Sequence, residues 1–196
     1  MVWSAIYFVP NKVEFLIGAV NEISIDNVIH MVWSMIHYVI IRLVVLIVGK
    51  IQVYNCSTGQ ERFVNELIEQ FNSKSFQIVT SVNDINSNRP LLVVCFNTSR
   101  LGTDANNAIK DISDQRLKSS VLLVVYHKET HFLPSQPSDK ILVGDKFNTM
   151  YGIYDFAYIT NKGIYPHDMN TQSISKLRQY IYTYVVSNIV RYIKHQ

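Results

Sequence analysis

From Lys50 onward, short apolar runs rich in β-branched residues alternate with segments whose apolar positions recur every three or four residues. Lys50–Asn55 (KIQVYN) predicts a strand, Cys56–Gly59 a turn, and Gln60–Phe71 a helix with Phe63, Val64, Leu67, Ile68 and Phe71 on one face. Thr58-Gly59-Gln60-Glu61 fits a capping box that starts this helix. Ser75–Ser81 predicts a second, more exposed strand, followed by a polar loop at Asn83–Pro90. Leu91–Phe96 is a third strand, Asn97–Asp104 a loop, and the segment through Ile112 a helix. Ser120–Tyr126 (SVLLVVY) is apolar nearly throughout, as a strand covered on both faces must be. A long loop follows at His127–Asp139, with Pro134 and Pro137, and the last strand is placed at Tyr154–Ile159. Thr171–Lys194 closes the chain as a helix with Ile174, Leu177, Ile181, Tyr184, Val185, Ile189 and Ile193 along one stripe. The alternation predicts an α/β domain with a parallel sheet of about five strands in the order 2-1-3-4-5.

Residues 1–49 have a different character, an apolar N-terminal segment ahead of the domain at 50–196. Met1–Val9 (MVWSAIYFV) recurs as Met31–Val39 (MVWSMIHYV), too few copies for a repeat architecture. Val28–Val48 has about the length of a bilayer-spanning helix and is a candidate membrane anchor. Its one charged residue, Arg42, would cost roughly 2.5–3.5 kcal/mol near the bilayer centre. The competing reading is a buried helix running into a buried strand at Leu43–Val48. The expected location is cytoplasmic; with an anchor, Lys50 behind it and Glu22 and Asp26 before it favour the 50–196 domain on the cytosolic side. No basic stretch and small-residue cleavage site frame a signal peptide.

Composition narrows the class: 48% hydrophobic and 17% charged residues exclude a disordered chain, and a net charge of +3 gives no basis for specific nucleic-acid binding. The closing helix carries Lys176, Arg178, Arg191 and Lys194 without an acid, a polar face that reads first as solvated. The two cysteines, Cys56 and Cys95, fit reduced thiols at strand ends and build no metal framework. Asn55-Cys56-Ser57 and Asn97-Thr98-Ser99 match the glycosylation sequon but read as turn chemistry.

In the order 2-1-3-4-5, the loops after the first and third strands face one crevice at the carboxyl edge of the sheet. The first offers Ser57, Thr58 and Gly59 at a helix start, where an anion can be held; it lacks both the P-loop and the GxGxxG spacing. The second offers Ser99, Arg100, Gly102, Thr103 and Asp104. Arg100 can fork a phosphate or carboxylate, Gly102 can take a positive φ, and Thr103 or Asp104 can cap the following helix. An equally coherent structural version pairs Arg100 with Asp104 and binds nothing. On paper Cys56 or Ser99 combines with His127 as nucleophile and base, without an orienting partner. His127 and His131 follow a strand, so their spacing does not bring the rings to one face and no metal site is expected.

Ser99-Arg100-Leu101-Gly102-Thr103-Asp104, followed by Val121–Lys128 (VLLVVYHK), resembles a group of small flavodoxin-like α/β proteins of fishes and invertebrates, over about Lys50 to Lys194. The resemblance implies a three-layer flavodoxin-like fold and no set activity. Ile51–Phe71 is more loosely similar to the opening strand, turn and helix of TIR domains. TIR enzymes that cleave NAD carry a glutamate in the helix after the third strand; here that helix starts Thr103-Asp104-Ala105-Asn106-Asn107, which leaves an adaptor-like role. The expected function is therefore a non-enzymatic signalling or interaction module that binds a protein partner or a small anionic ligand at the carboxyl edge. The alternative is a nucleotide-using enzyme, a hydrolase or NAD-cleaving, with its site at the same switch point. Neither reading fixes a cofactor.

Overall fold

The computed structural model describes Val32 and residues 50–55, 61–71, 73–127 and 133–194. Apart from Val32, these belong to the second of two units, which runs from Arg42 to Gln196 and is the one described here. Apart from Val32, the repeated MVWS segments and the anchor expected at Val28–Val48 lie outside the described residues. Among the described residues, no helix is long and apolar enough to cross a membrane.

The unit is α/β, built on one mostly parallel sheet. Its strands are β1 (Ile51–Tyr54), β2 (Phe76–Val79), β3 (Leu91–Asn97), β4 (Ser120–His127), β5 (Gly152–Ile159) and β6 (Gly163–Ile164). The helices are α1 (Glu61–Glu69), α2 (Leu101–Ile109), α3 (Asp114–Leu117), α4 (Ser138–Ile141), α5 (Asp145–Thr149) and α6 (Asp168–Lys194). The sheet has six strands in the order β2-β1-β3-β4-β5-β6, one more than the expected five. The addition is β6, which pairs antiparallel with β5 through Tyr158 opposite Ile164. A strand of two residues shows no alternation in sequence, so the expected order ended at the fifth strand.

β3 and β4 form the centre because every position from Leu91 to Phe96 and from Ser120 to Tyr126 is buried. Only a strand covered on both faces can be apolar without alternation. On one face, Val93, Cys95, Leu122 and Val124 pack under Ala105, Ala108 and Ile109 of α2. Those three helix residues are spaced i, i+3, i+4, which turns one stripe of α2 onto the sheet. On the other face, the ring of Phe63 from α1 meets Phe96 and Phe156 edge-on, with centroids 5.5 and 5.6 Å away. Lys176 of α6 reaches the Tyr154 ring on that same face. Burying Phe63 removes a large apolar side chain from water, and the edge-to-face pairs add about 0.5–1.5 kcal/mol each.

The helix expected through Ile112 ends at Ile109, and the four-residue α3 follows it. In the expected loop after β4, residues 133–137 are coil before α4 and α5, each of five residues or fewer, carry the chain to β5. Helices of about one turn carry too few positions for a periodic signal.

Candidate functional site

The turn between β3 and α2 is shorter than expected. The loop placed at Asn97–Asp104 narrows to Thr98–Arg100, because Asn97 still belongs to β3 and Leu101 already opens α2. Asp104, in the first turn of α2, reaches back over it. Its Oδ2 accepts the backbone N–H of Thr98 at 2.8 Å and that of Ser99 at 2.8 Å, while the Ser99 hydroxyl donates to Oδ1 at 2.9 Å. Burial opposes the charge on Asp104, but the bonds from Ser99 and Thr98 outweigh it and hold the carboxyl below its ordinary range. An acidic group in the first turn also complements the helix dipole.

Two expectations change here. Gly102 has no positive φ, and a methyl group in place of its hydrogen would meet nothing within 4 Å. It is the second residue of α2, so the left-handed turn assigned to it is not needed. The pairing of Arg100 with Asp104 is also absent: among the described residues the one ion pair joins Arg62 and Glu66. Two backbone N–H groups and a hydroxyl already occupy the Asp104 carboxylate, and Arg100 is exposed at the start of α2 with extended backbone. Thr103 is exposed one position before Asp104.

His127 ends β4 and points away from this turn. Its Nε2 bonds the Thr160 hydroxyl, and its ring lies 5.9 Å from that of Tyr158. Thr160 is held as well by Arg62, which donates to its carbonyl at 2.6 Å. Arg62 in turn pairs with Glu66 at 2.7 Å, and Glu66 accepts the Ile164 N–H at 2.9 Å. Together these contacts tie α1 and the end of β4 to the β5–β6 hairpin. Gly163 in that hairpin has φ +72°, and a Cβ there would lie 1.9 Å from Glu66 Oε2. Ser99 and His127 therefore do not form the nucleophile and base imagined from sequence, since each is bonded to a different partner. Ser57, Thr58, Gly59, Cys56 and His131 lie outside the described residues. Cys95 is buried in β3, as expected. Both sequon asparagines are withdrawn from the open surface, Asn55 buried and Asn97 half-buried. Among the described residues, no group of three His, Cys, Asp or Glu is placed to hold a metal.

Buried polar groups elsewhere were not signalled by sequence. Asp155 of β5 accepts the Ser138 N–H at 2.9 Å, and the Ser138 hydroxyl lies 2.7 Å from that of Tyr126. Burial raises the Asp155 carboxyl above its ordinary range despite the Ser138 bond. Gln52 of β1 donates to the Asp84 carbonyl and accepts the Asn86 N–H, fixing the loop before β3. Arg116 of α3 is 6% exposed. It lies at the opposite, amino edge of the sheet, on the wall of a cleft of about 780 Å³.

Scans against protein-family models, curated proteins and solved structures found no match for the chain.

Proposed function

We propose that this chain is a non-enzymatic binding module with a flavodoxin-like, three-layer arrangement, presenting the β3–α2 turn to a small anionic ligand or an acidic patch of a protein partner. One observation carries the reading: Asp104 holds two backbone N–H groups, of Thr98 and Ser99, and the Ser99 hydroxyl at 2.8–2.9 Å, while Arg100 beside it is exposed and outside any ion pair among the described residues. The braced turn fixes the backbone from which Arg100 projects, and its guanidinium can fork an oxyanion. The same observation weighs against the nucleotide-using enzyme. The Ser99 hydroxyl is committed to Asp104 and His127 to Thr160, so neither activates the other.

The test is a thermal-shift panel of nucleotides, pyrophosphate and inorganic phosphate on the full chain and on Arg100→Ala. Pyrophosphate at this turn raises the Tm of the natural sequence, and Arg100→Ala abolishes that shift with its own unliganded Tm unchanged. Equal pyrophosphate shifts in both proteins, or turnover of any nucleotide in the panel, contradict the reading.

A further inference from the structure

Arg116 is a buried cation with no ion-pair partner among the described residues. Its Nη1 donates to the Ser119 hydroxyl at 3.1 Å and to the Ser87 carbonyl at 3.4 Å, and its Nη2 donates to the Arg89 carbonyl. Its Nε–H is sealed from solvent and meets no acceptor. Burial pulls its pKa below the ordinary guanidinium value, against the opposing influence of the Tyr180 and Tyr184 phenols. Carbonyls and hydroxyls solvate a guanidinium but do not neutralise it, and a buried charge normally has a counter-charge.

The cleft beside it is an open, largely polar one with room for a small ligand. Its volume, about 780 Å³, lies within the range of small-molecule pockets. Ser119 and Tyr151, just ahead of β4 and β5, place it at the amino edge of the sheet, far along the strands from Arg100. Lys118 supplies a second, exposed cation at its rim, and among the described residues no Asp or Glu lines it. Serines, Asn88, Gln115 and Thr183 make up much of the wall, and three tyrosines give it a ring surface: Tyr151 and Tyr180 have ring centroids 4.7 Å apart, and Tyr184 follows Tyr180 at 6.3 Å. Two of the phenols are fixed by the loops that form the cleft, Tyr180 donating to the Ser119 carbonyl at 2.6 Å and Tyr184 to the Asn88 carbonyl at 2.8 Å. The rings are thus positioned before any ligand arrives.

We propose that this cleft binds a small phosphorylated ligand carrying a flat ring, its phosphate beside Arg116 and Lys118 and its ring against Tyr151 and Tyr184. The phosphate supplies the counter-charge that Arg116 lacks, and the planar guanidinium suits an oxyanion better than a point charge does. The half-exposed ring of Tyr151 offers a stacking face of the kind that holds nucleobases. The cleft is separate from the β3–α2 turn and does not depend on it.

Calorimetric titration of the full chain with AMP, adenosine and inorganic phosphate tests the proposal, together with the Arg116 Nε–H resonance in ¹H–¹⁵N spectra. AMP is expected to bind at least about tenfold more tightly than adenosine or phosphate and to shift that resonance, as loss of one charge–charge contact or one stack predicts. Lys118→Glu, at an exposed rim position, should weaken AMP about tenfold without changing the circular dichroism. Arg116→Lys should weaken AMP further if it folds; if it does not, Lys118→Glu and the resonance decide. No AMP binding at millimolar concentration, adenosine or phosphate binding as tightly as AMP, an unmoved Nε–H resonance, or indifference to Lys118→Glu overturns the proposal.

Discussion

The carboxylate of Asp104 accepts both the backbone N–H and the hydroxyl of Ser99, at 2.8 and 2.9 Å, so the first turn of α2 closes over the end of β3. The residues that look most like a reactive site in the sequence thus brace one another. What they leave facing outward is Arg100.

Asp104→Ala should destabilise the unit by about 1 kcal/mol, the usual net worth of such a bond at a partly solvated position, with the value reduced by screening. Because its folded pKa is lowered, the contribution is fully present above the ordinary carboxyl range and is lost as pH falls through the folded value. Urea unfolding of both proteins at pH 7 and pH 3 checks this, with the gap between them shrinking at the lower pH.

Asp155 should behave in the opposite sense. Its folded pKa is raised, so the folded state resists its ionisation, and stability falls as pH rises above the ordinary carboxyl value until the folded pKa is passed. Asp155→Asn keeps an acceptor for the Ser138 N–H and removes the charge. It should therefore gain stability over the natural sequence from pH 4 to pH 7, by about 1 kcal/mol at neutral pH, in the same unfolding assay.

Two glycines separate cleanly. Gly102 sits in α2 with open space beside it, so Gly102→Ala should stabilise by about 0.5–1 kcal/mol. Gly163→Ala meets Glu66 at a positive φ and should cost about 1–3 kcal/mol. Thermal unfolding followed by circular dichroism reads both, as Tm shifts of opposite sign.

Tyr180→Phe removes the donor to the half-buried Ser119 carbonyl and should cost about 1 kcal/mol. A loss of that size, measured by chemical denaturation, shows that α6 is anchored at the amino edge through this hydroxyl. No change would mean that another group satisfies the carbonyl.

The parts of the fold visible in the sequence are those with strong two-sided burial. Leu91–Phe96 and Val121–Tyr126 are apolar without a break because helices cover both faces, and the Phe63, Val64, Leu67 and Ile68 stripe marked α1. β6, α4 and α5 were hidden because two to five residues cannot display a period. In the candidate site, a polar turn of the right residue types was legible, but whether Asp104 bonds Arg100 or the turn backbone depends on geometry that spacing does not encode. Arg116 was invisible for a different reason. An arginine in a polar stretch reads as solvated, and only the packing of α3 under the loop at Ser87–Arg89 and against α6 reveals that it is buried.

The most direct test of a binding module built on the β3–α2 turn is a ¹H–¹⁵N titration of the full chain with pyrophosphate. The account predicts shifts concentrated at Thr98–Asp104, abolished in Arg100→Ala, with the pyrophosphate recovered intact. Shifts absent from this turn at saturating ligand, or hydrolysis of the pyrophosphate, would contradict it.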